Sequence, residues 1–188
     1  MKITSGIILS MLLSLPPAYV DRDETDRGER MQTIAEAIAH VSDRATCTDP
    51  YDDPRCQPIW NGSELDLAAL LVTKGWWESR FAKNVHEGKC GPEECDATRL
   101  RNGAIVHRAR SPWQIQRTSY SEALWDDMQG SGFEQTRNAA WVAARILSDG
   151  KHKCRSNFGA LSWYAVQKCS SQMAKNRLFT FEKLTKRR

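Results

Sequence analysis

The sequence predicts an all-α domain, and three observations lead there. Apolar residues recur at three- and four-residue spacing through most of the chain. No alternating pattern of useful length marks a strand, and the helical stretches end at Ser, Gly or Pro. With 188 residues the chain is long enough for one domain with a substantial core. Hydrophobic residues make up 40% and the net charge is +4, an ordinary globular balance with a mild basic excess. That excess favours approach to anionic polymers (bacterial cell wall, nucleic acid, acidic lipid) without choosing among them. No basic tract interleaved with aromatics occurs mid-chain, so nucleic acid is not an expected partner. The terminal Lys183-Leu184-Thr185-Lys186-Arg187-Arg188 reads as a solvated tail.

At the start, Lys2 followed by Ile7-Ile8-Leu9-Ser10-Met11-Leu12-Leu13-Ser14-Leu15 has the charge and length of a secretory leader. The following Pro16-Pro17-Ala18-Tyr19-Val20 lacks a clean small-x-small cleavage site. The alternative is that residues 1–20 form a short packing helix stopped by Pro16-Pro17. The run is too short to cross a bilayer, so no stable membrane span is expected. Residues 21–188 then form a single domain.

Residues 21–30 are densely charged and read as a solvated connector. A helix follows, carried by Met31, Ile34, Ile38 and Val41, and it meets a loop of turn formers at 47–54. Ser63 is placed to cap the next helix, with Asp66 completing a capping-box pattern. That helix, from Leu65 to Ser79, is almost all apolar. Residues 81–110 hold glycines, polar side chains and two cysteines without periodicity, the long irregular loop of the chain. A short helix is expected over 118–128, ended near Gly130. A stronger one covers 133–148, where Ala139, Ala140, Val142, Ala143, Ile146 and Leu147 form a core stripe and Asp149-Gly150 stops it. Helices over 157–167 and 171–184 complete the inventory.

Six cysteines fall into three local couples, Cys47/Cys56, Cys90/Cys95 and Cys154/Cys169. Six thiols permit about fifteen pairings, and proximity in the chain makes these three bridges the first expectation. Zinc is the competing reading, but no CxxC couple is present and His40, His86, His107 and His152 are scattered. No metal and no cofactor is therefore expected, and the cysteines point to an oxidising, non-cytosolic setting.

Glu78 is the candidate for chemistry. It closes the apolar helix on the same face as Leu71 and Leu67, beside Trp76 and Trp77. An acid held there loses hydration, which disfavours its charge and suits a general acid at neutral pH. The plainer reading is a helix end where Glu78 turns to water or pairs with Lys74 four residues earlier.

Three short motifs stand in order along the chain: Trp76-Trp77-Glu78-Ser79-Arg80-Phe81, Ser111-Pro112-Trp113-Gln114-Ile115-Gln116 and Leu161-Ser162-Trp163-Tyr164-Ala165. In this order they resemble the lytic transglycosylase family, which shares the lysozyme-like fold with goose-type lysozymes. The resemblance covers about 60–170. It departs from the family at Ser111-Pro112, where Gly-Leu is usual, at Ala165, where Asn follows the Tyr, and in a longer Glu78–Gln114 interval carrying Cys90 and Cys95.

The resemblance implies a lysozyme-like helical domain with a cleft and a long disulfide-pinned loop. It implies cleavage of the glycan strand of peptidoglycan. Glycosidic cleavage needs a proton on the leaving oxygen and stabilisation of an oxocarbenium-like centre. A transglycosylase does this with one carboxyl, because the sugar's own 6-hydroxyl replaces water and closes a 1,6-anhydro ring. Carried over residue by residue, Glu78 is the acid/base and Ser79 orients it. Gln114 binds the N-acetylated sugar, Tyr164 faces Glu78 across the cleft and Trp113 is an aromatic platform. Lys74 is expected to point away, since its ammonium would favour the carboxylate. Trp76, Trp125, Trp141 and Trp163 are expected in the core.

Two other readings stand beside this one. A loop carboxylate among Glu87, Glu93, Glu94 and Asp96 could reach over and make the reaction a lysozyme-like hydrolysis. The altered second and third motifs suit a non-catalytic wall-binding or virion structural protein. The expected partner in every case is peptidoglycan, met by a monomer outside the cytosol or on a phage particle.

Overall fold

The computed structural model describes residues 2–21, 25–46, 57–118 and 120–186, and over these the chain is mostly helical. Its helices are α1 (Ser5–Leu13), α2 (Arg27–Thr46), α3 (Glu64–Ser79), the single turn α4 (Lys83–His86), α5 (Phe133–Cys154), α6 (Asn157–Val166) and α7 (Gln172–Lys186). α3 runs through the middle, packed against α1, α2, α5, α6 and α7. Every residue from Leu67 to Gly75 is buried, as an apolar helix with no polar face requires. Its start is fixed as the sequence implies, with the Ser63 hydroxyl accepting from the Asp66 N–H at 3.0 Å. α1 lies on α2 and α3 with Ile8, Met11 and Leu12 buried, and the Ile3 N–H donates to Glu64 Oε2.

Several expectations change. The charged stretch at 21–30 is not a solvated connector throughout. Asp21 and Arg30 are both buried and paired at 3.1 Å, Asp21 Oδ2 also accepts from the Lys83 N–H, and Arg30 donates to the Phe81 carbonyl. Two charges buried together in this way tie the start of α2 to the turn after α3. α5 does not stop at Asp149-Gly150 but continues to Cys154. Gly150 is there because a Cβ would sit 2.7 Å from that of Trp163 and 3.1 Å from the Ala160 Cα, so the missing side chain lets α6 approach. The short helix expected over 118–128 is instead two 3₁₀ turns, Glu122–Leu124 and Asp126–Met128. At the other end α7 reaches Lys186 with Leu184 buried, so part of the expected tail is helix.

The long loop is likewise not structureless. β1 (Ala97–Arg99) pairs antiparallel with β2 (Ile105–His107) in the register Ala97↔His107, and β3 (Ala109–Arg110) with β4 (Ile115–Gln116) in the register Arg110↔Ile115. Strands this short carry no alternation to read in advance.

Cys90–Cys95 and Cys154–Cys169 are disulfide-bonded as expected. Cys47 and Cys56 lie outside the described residues. Among the described residues no helix is long and apolar enough to cross a membrane.

Candidate active site

The end of α3 sets the site. After Ser79 the chain takes two consecutive left-handed residues, Arg80 (φ 56°) and Phe81 (φ 54°), without a glycine. Such conformations persist for L-residues only when neighbours over-determine them. Here the Ser79 hydroxyl donates to the Gly75 carbonyl and accepts from the Phe81 N–H, while the Arg80 guanidinium lies over the Trp76 ring at 3.7 Å. The turn sends the Phe81 ring back along α3 against Gly75, where a Cβ would lie 2.4 Å from ring atoms. Phe81 then meets Trp113 edge-to-face at 6.2 Å, and the Trp113 indole N–H donates to the Leu71 carbonyl at 2.9 Å. The second motif is thereby locked onto the helix that carries Glu78.

Glu78 reaches a cleft of about 440 Å³ whose lining includes Lys74, Gln114, Tyr164 and Arg177. Three of the residues singled out from sequence, Glu78, Gln114 and Tyr164, therefore meet in one depression despite their separation in the chain. Glu78 keeps 22% of its side chain exposed. Its Oε1 is paired with the Lys74 ammonium and, at 2.9 Å, with Arg177 Nη2.

Lys74 does not point away, and this corrects the sequence expectation. Its residue is 1% exposed, its ammonium contacts Glu78 directly, and it stands 4.0 Å above the Tyr164 ring centroid. A buried ammonium is costly without partners, and here the Glu78 carboxylate and the Tyr164 ring face supply them. Burial still dominates its titration: it pulls the Lys74 ammonium down to about 8, against the opposing pull of Glu78. Tyr164 is pushed well above the ordinary tyrosine range by burial and then by the Glu78 charge. Its hydroxyl donates to the Trp113 carbonyl at 3.1 Å.

Other assignments shift. Trp113 is fully buried (0% exposed) and is a core residue, not a platform, because its ring fills the space between α3 and Phe81. Trp163, expected in the core, lines the cleft. Trp125 is buried, whereas Trp76 and Trp141 are only partly so. Ser79 spends its proton on the Gly75 carbonyl and so shapes the helix end rather than orienting Glu78. Gln114, itself left-handed at φ 48°, accepts from the Asp96 N–H and donates to the Ser111 carbonyl, both through its side-chain amide. It closes the β3–β4 turn and faces the cleft from there. Ala165 lines the cleft too, while Ser111 is buried and left-handed (φ 67°).

A second, wider groove of about 900 Å³ adjoins, with Gln116 lining both depressions. Its wall includes Asp96, Arg108, Arg110 and Trp125, and the Arg110 guanidinium lies over the Trp125 ring at 4.6 Å. Of the loop carboxylates, Asp96 faces this groove, Glu87 pairs with Lys89 and Glu94 accepts from the Gly91 N–H. Among the described residues lining the Glu78 cleft, Glu78 is the one carboxylate.

Cys90, Cys95 and His107 form a cluster with ligand atoms within 4.8 Å of one another. The two sulfurs are joined in a disulfide and the His107 Nε2 meets the Cys90 carbonyl, so metal-binding thiolates are not on offer there.

Sequence reasoning missed Arg177. Its signal was present: it sits in the buried stripe of α7 with Ala174, Phe181 and Leu184, and a cation in such a stripe needs a partner across the interface. No family model, curated protein or solved structure matches this chain.

Proposed function

We propose that the protein cleaves the β-1,4 bond between N-acetylmuramic acid and N-acetylglucosamine in peptidoglycan, as a lytic transglycosylase with Glu78 as its acid/base. The observation that carries this reading is the convergence of Glu78, Gln114 and Tyr164 on one cleft, with a second groove continuing it past Gln116. A polymer substrate needs such an extended track. Glu78 is the one carboxylate among the described lining of its own cleft, with Asp96 set apart in the adjoining groove, and this favours intramolecular ring closure over two-carboxylate hydrolysis. The two disulfides suit work outside the cytosol or on a phage particle.

The site differs from the apolar pocket that the sequence suggests, and the chemistry must start from an ion pair. When a glycan fills the cleft and expels water, separated charges on Lys74 and Glu78 lose solvation. The Lys74 ammonium, which burial makes a better proton donor than an ordinary lysine, gives its proton to Glu78. Glu78 passes it to the leaving O4 as the C1–O4 bond breaks. The resulting carboxylate then takes the proton of the 6-hydroxyl as O6 bonds to C1, which leaves Glu78 protonated again. Product release readmits water, and the proton returns to Lys74.

In the test, purified sacculi are digested and the products weighed. The expected products carry 1,6-anhydro ends, and Glu78→Gln lowers their release by at least about a hundredfold while the circular dichroism spectrum is kept. Activity in Glu78→Gln near that of the parent removes Glu78 from the mechanism, and products heavier by one water make the enzyme a hydrolase.

One observation favours a second reading, a wall-binding protein without turnover. Arg177 pairs with Glu78 at 2.9 Å and never gives up its own proton, so the carboxylate is held in an ion pair from two sides. Retention on sacculi with no soluble product would establish that reading and exclude both enzymes.

A further inference from the structure

Counting charge in the Glu78 cleft leaves one cation over. Lys74, Glu78 and Arg177 are the charged residues among the described lining, two positive and one negative. Both cations are buried, Lys74 at 1% and Arg177 at 4% exposure, so bulk water does little to screen them. Arg177 is ion-paired with Glu78 through Nη2 at 2.9 Å, but its Nη1 is buried without a hydrogen-bond partner. A charged donor left unsatisfied in the interior is costly, and a ligand that supplies an acceptor recovers that cost. Trp163, Gln114 and Tyr164 complete a wall of rings and amides of the kind that orients a sugar.

We propose that this cleft binds a carboxylate of its ligand between Arg177 and Lys74, beside Glu78. Resting on the glycan reading above, the substrate class is a muramic acid residue whose lactyl group is free, that is, glycan already stripped of its stem peptide. The terminal carboxylate of a stem peptide offers the same chemistry from a different source. Glu78 competes with the incoming carboxylate for the same two cations. A guanidinium and a carboxylate pair through parallel N–H donors, and Nη1 is the donor still open.

The experiment titrates the intact protein, followed by tryptophan fluorescence and calorimetry, with N-acetylmuramic acid, its methyl ester, N-acetylglucosamine, D-lactate and a free stem peptide. The acid binds at least about tenfold more tightly than the ester or N-acetylglucosamine, the order expected when a buried charged donor gains an acceptor. Glu78→Gln removes the competing carboxylate and tightens binding of the acid several-fold, although its product release is at least about a hundredfold lower. Arg177→Met, which keeps the bulk of the side chain, abolishes the preference for acid over ester, and Arg177→Lys restores part of it.

Equal affinity for acid and ester overturns the carboxylate site, as does weaker binding of the acid by Glu78→Gln. If the stem peptide binds and the sugar acid does not, the carboxylate site stands with the peptide as its source. D-lactate separates this inference from the glycan reading. Lactate binding without any saccharide binding keeps the site and removes the glycan, whereas glycan cleavage with no preference for the acid does the reverse.

Discussion

At the scale of single residues, Lys74 is the side chain whose placement sequence reasoning got wrong and whose consequences are most measurable. Counting along α3 puts Glu78 and Lys74 on the face of Leu67 and Leu71; Lys74 is buried there, whereas Glu78 at the helix end stays partly exposed. The plainer reading of the sequence, an i,i+4 pair of Lys74 with Glu78, is the one found. The ammonium titrates near 8 in the folded chain against the usual 10.5, so between those values the unfolded chain holds more protons. Stability from this group is therefore gained as pH rises through that window and lost as pH falls through about 8. Urea unfolding at pH 7.5 and pH 10 should show the parent gaining roughly 2–3 kcal/mol relative to Lys74→Met across the interval. A constant difference between the two proteins would mean that Lys74 is not desolvated.

Gly75 makes a steric prediction at the same scale. Glycine inside a helix ordinarily costs about 1 kcal/mol against alanine, so the exchange should help on propensity alone. Here the added methyl meets the buried Phe81 ring, which is locked by its left-handed backbone and by Trp113. Gly75→Ala should therefore destabilise by about 1–3 kcal/mol in chemical denaturation, as overpacking does. A more stable variant would show that the Phe81 turn is loose.

Among the elements, α6 depends on a covalent tie. Cys154 ends α5 and Cys169 follows α6, so their bond closes a loop of separation 15 around the helix that presents Trp163 and Tyr164 to the cleft. Replacing both with Ala should cost about 3 kcal/mol of stability on chain-entropy grounds. The Tyr164 amide should also lose hydrogen-exchange protection more than amides of α2. Uniform loss across both helices would argue against a local role.

The helices were legible because their apolar periodicity survives in sequence, as Met31, Ile34, Ile38 and Val41 show for α2. The β3–β4 pair was not, because its turn is made by left-handed Ser111 and Gln114, residue types that do not announce it. The β1–β2 pair did carry a signal, Asn102 followed by left-handed Gly103, which the missing alternation in such short strands obscured. The stop assigned to Gly150 failed for a related reason. Glycine serves close packing as well as helix ends, and only the approach of Trp163 distinguishes the two uses.

For the molecule as a whole, His86 makes the fold sensitive to acid. It is buried, and its Nε2 lies 2.7 Å from Thr136 Oγ1, whose own proton goes to the Gly132 carbonyl. Nε2 must then be the donor, which leaves the neutral ring with an unpartnered Nδ1. Burial first and the Arg30 charge second pull its proton affinity down to about 3 from the ordinary 6.5. The unfolded chain takes up a proton that the folded one refuses. The stability is complete above about 6.5 and drains away as pH falls toward 3, by on the order of a few kcal/mol. Thermal melts from pH 7 to pH 4 should show a steeper decline for the parent than for His86→Gln. Parallel curves would place the acid sensitivity elsewhere.

The route by which the chain assembles follows from the N-terminal segment. The Ile3 N–H reaches Glu64 and the Trp76 indole reaches the Pro16 carbonyl, partners 61 and 60 positions apart. These are long-range closures: α1 settles on α3 only once α3 is itself helical, and removing them would bare one side of the helix that bears the carboxylate.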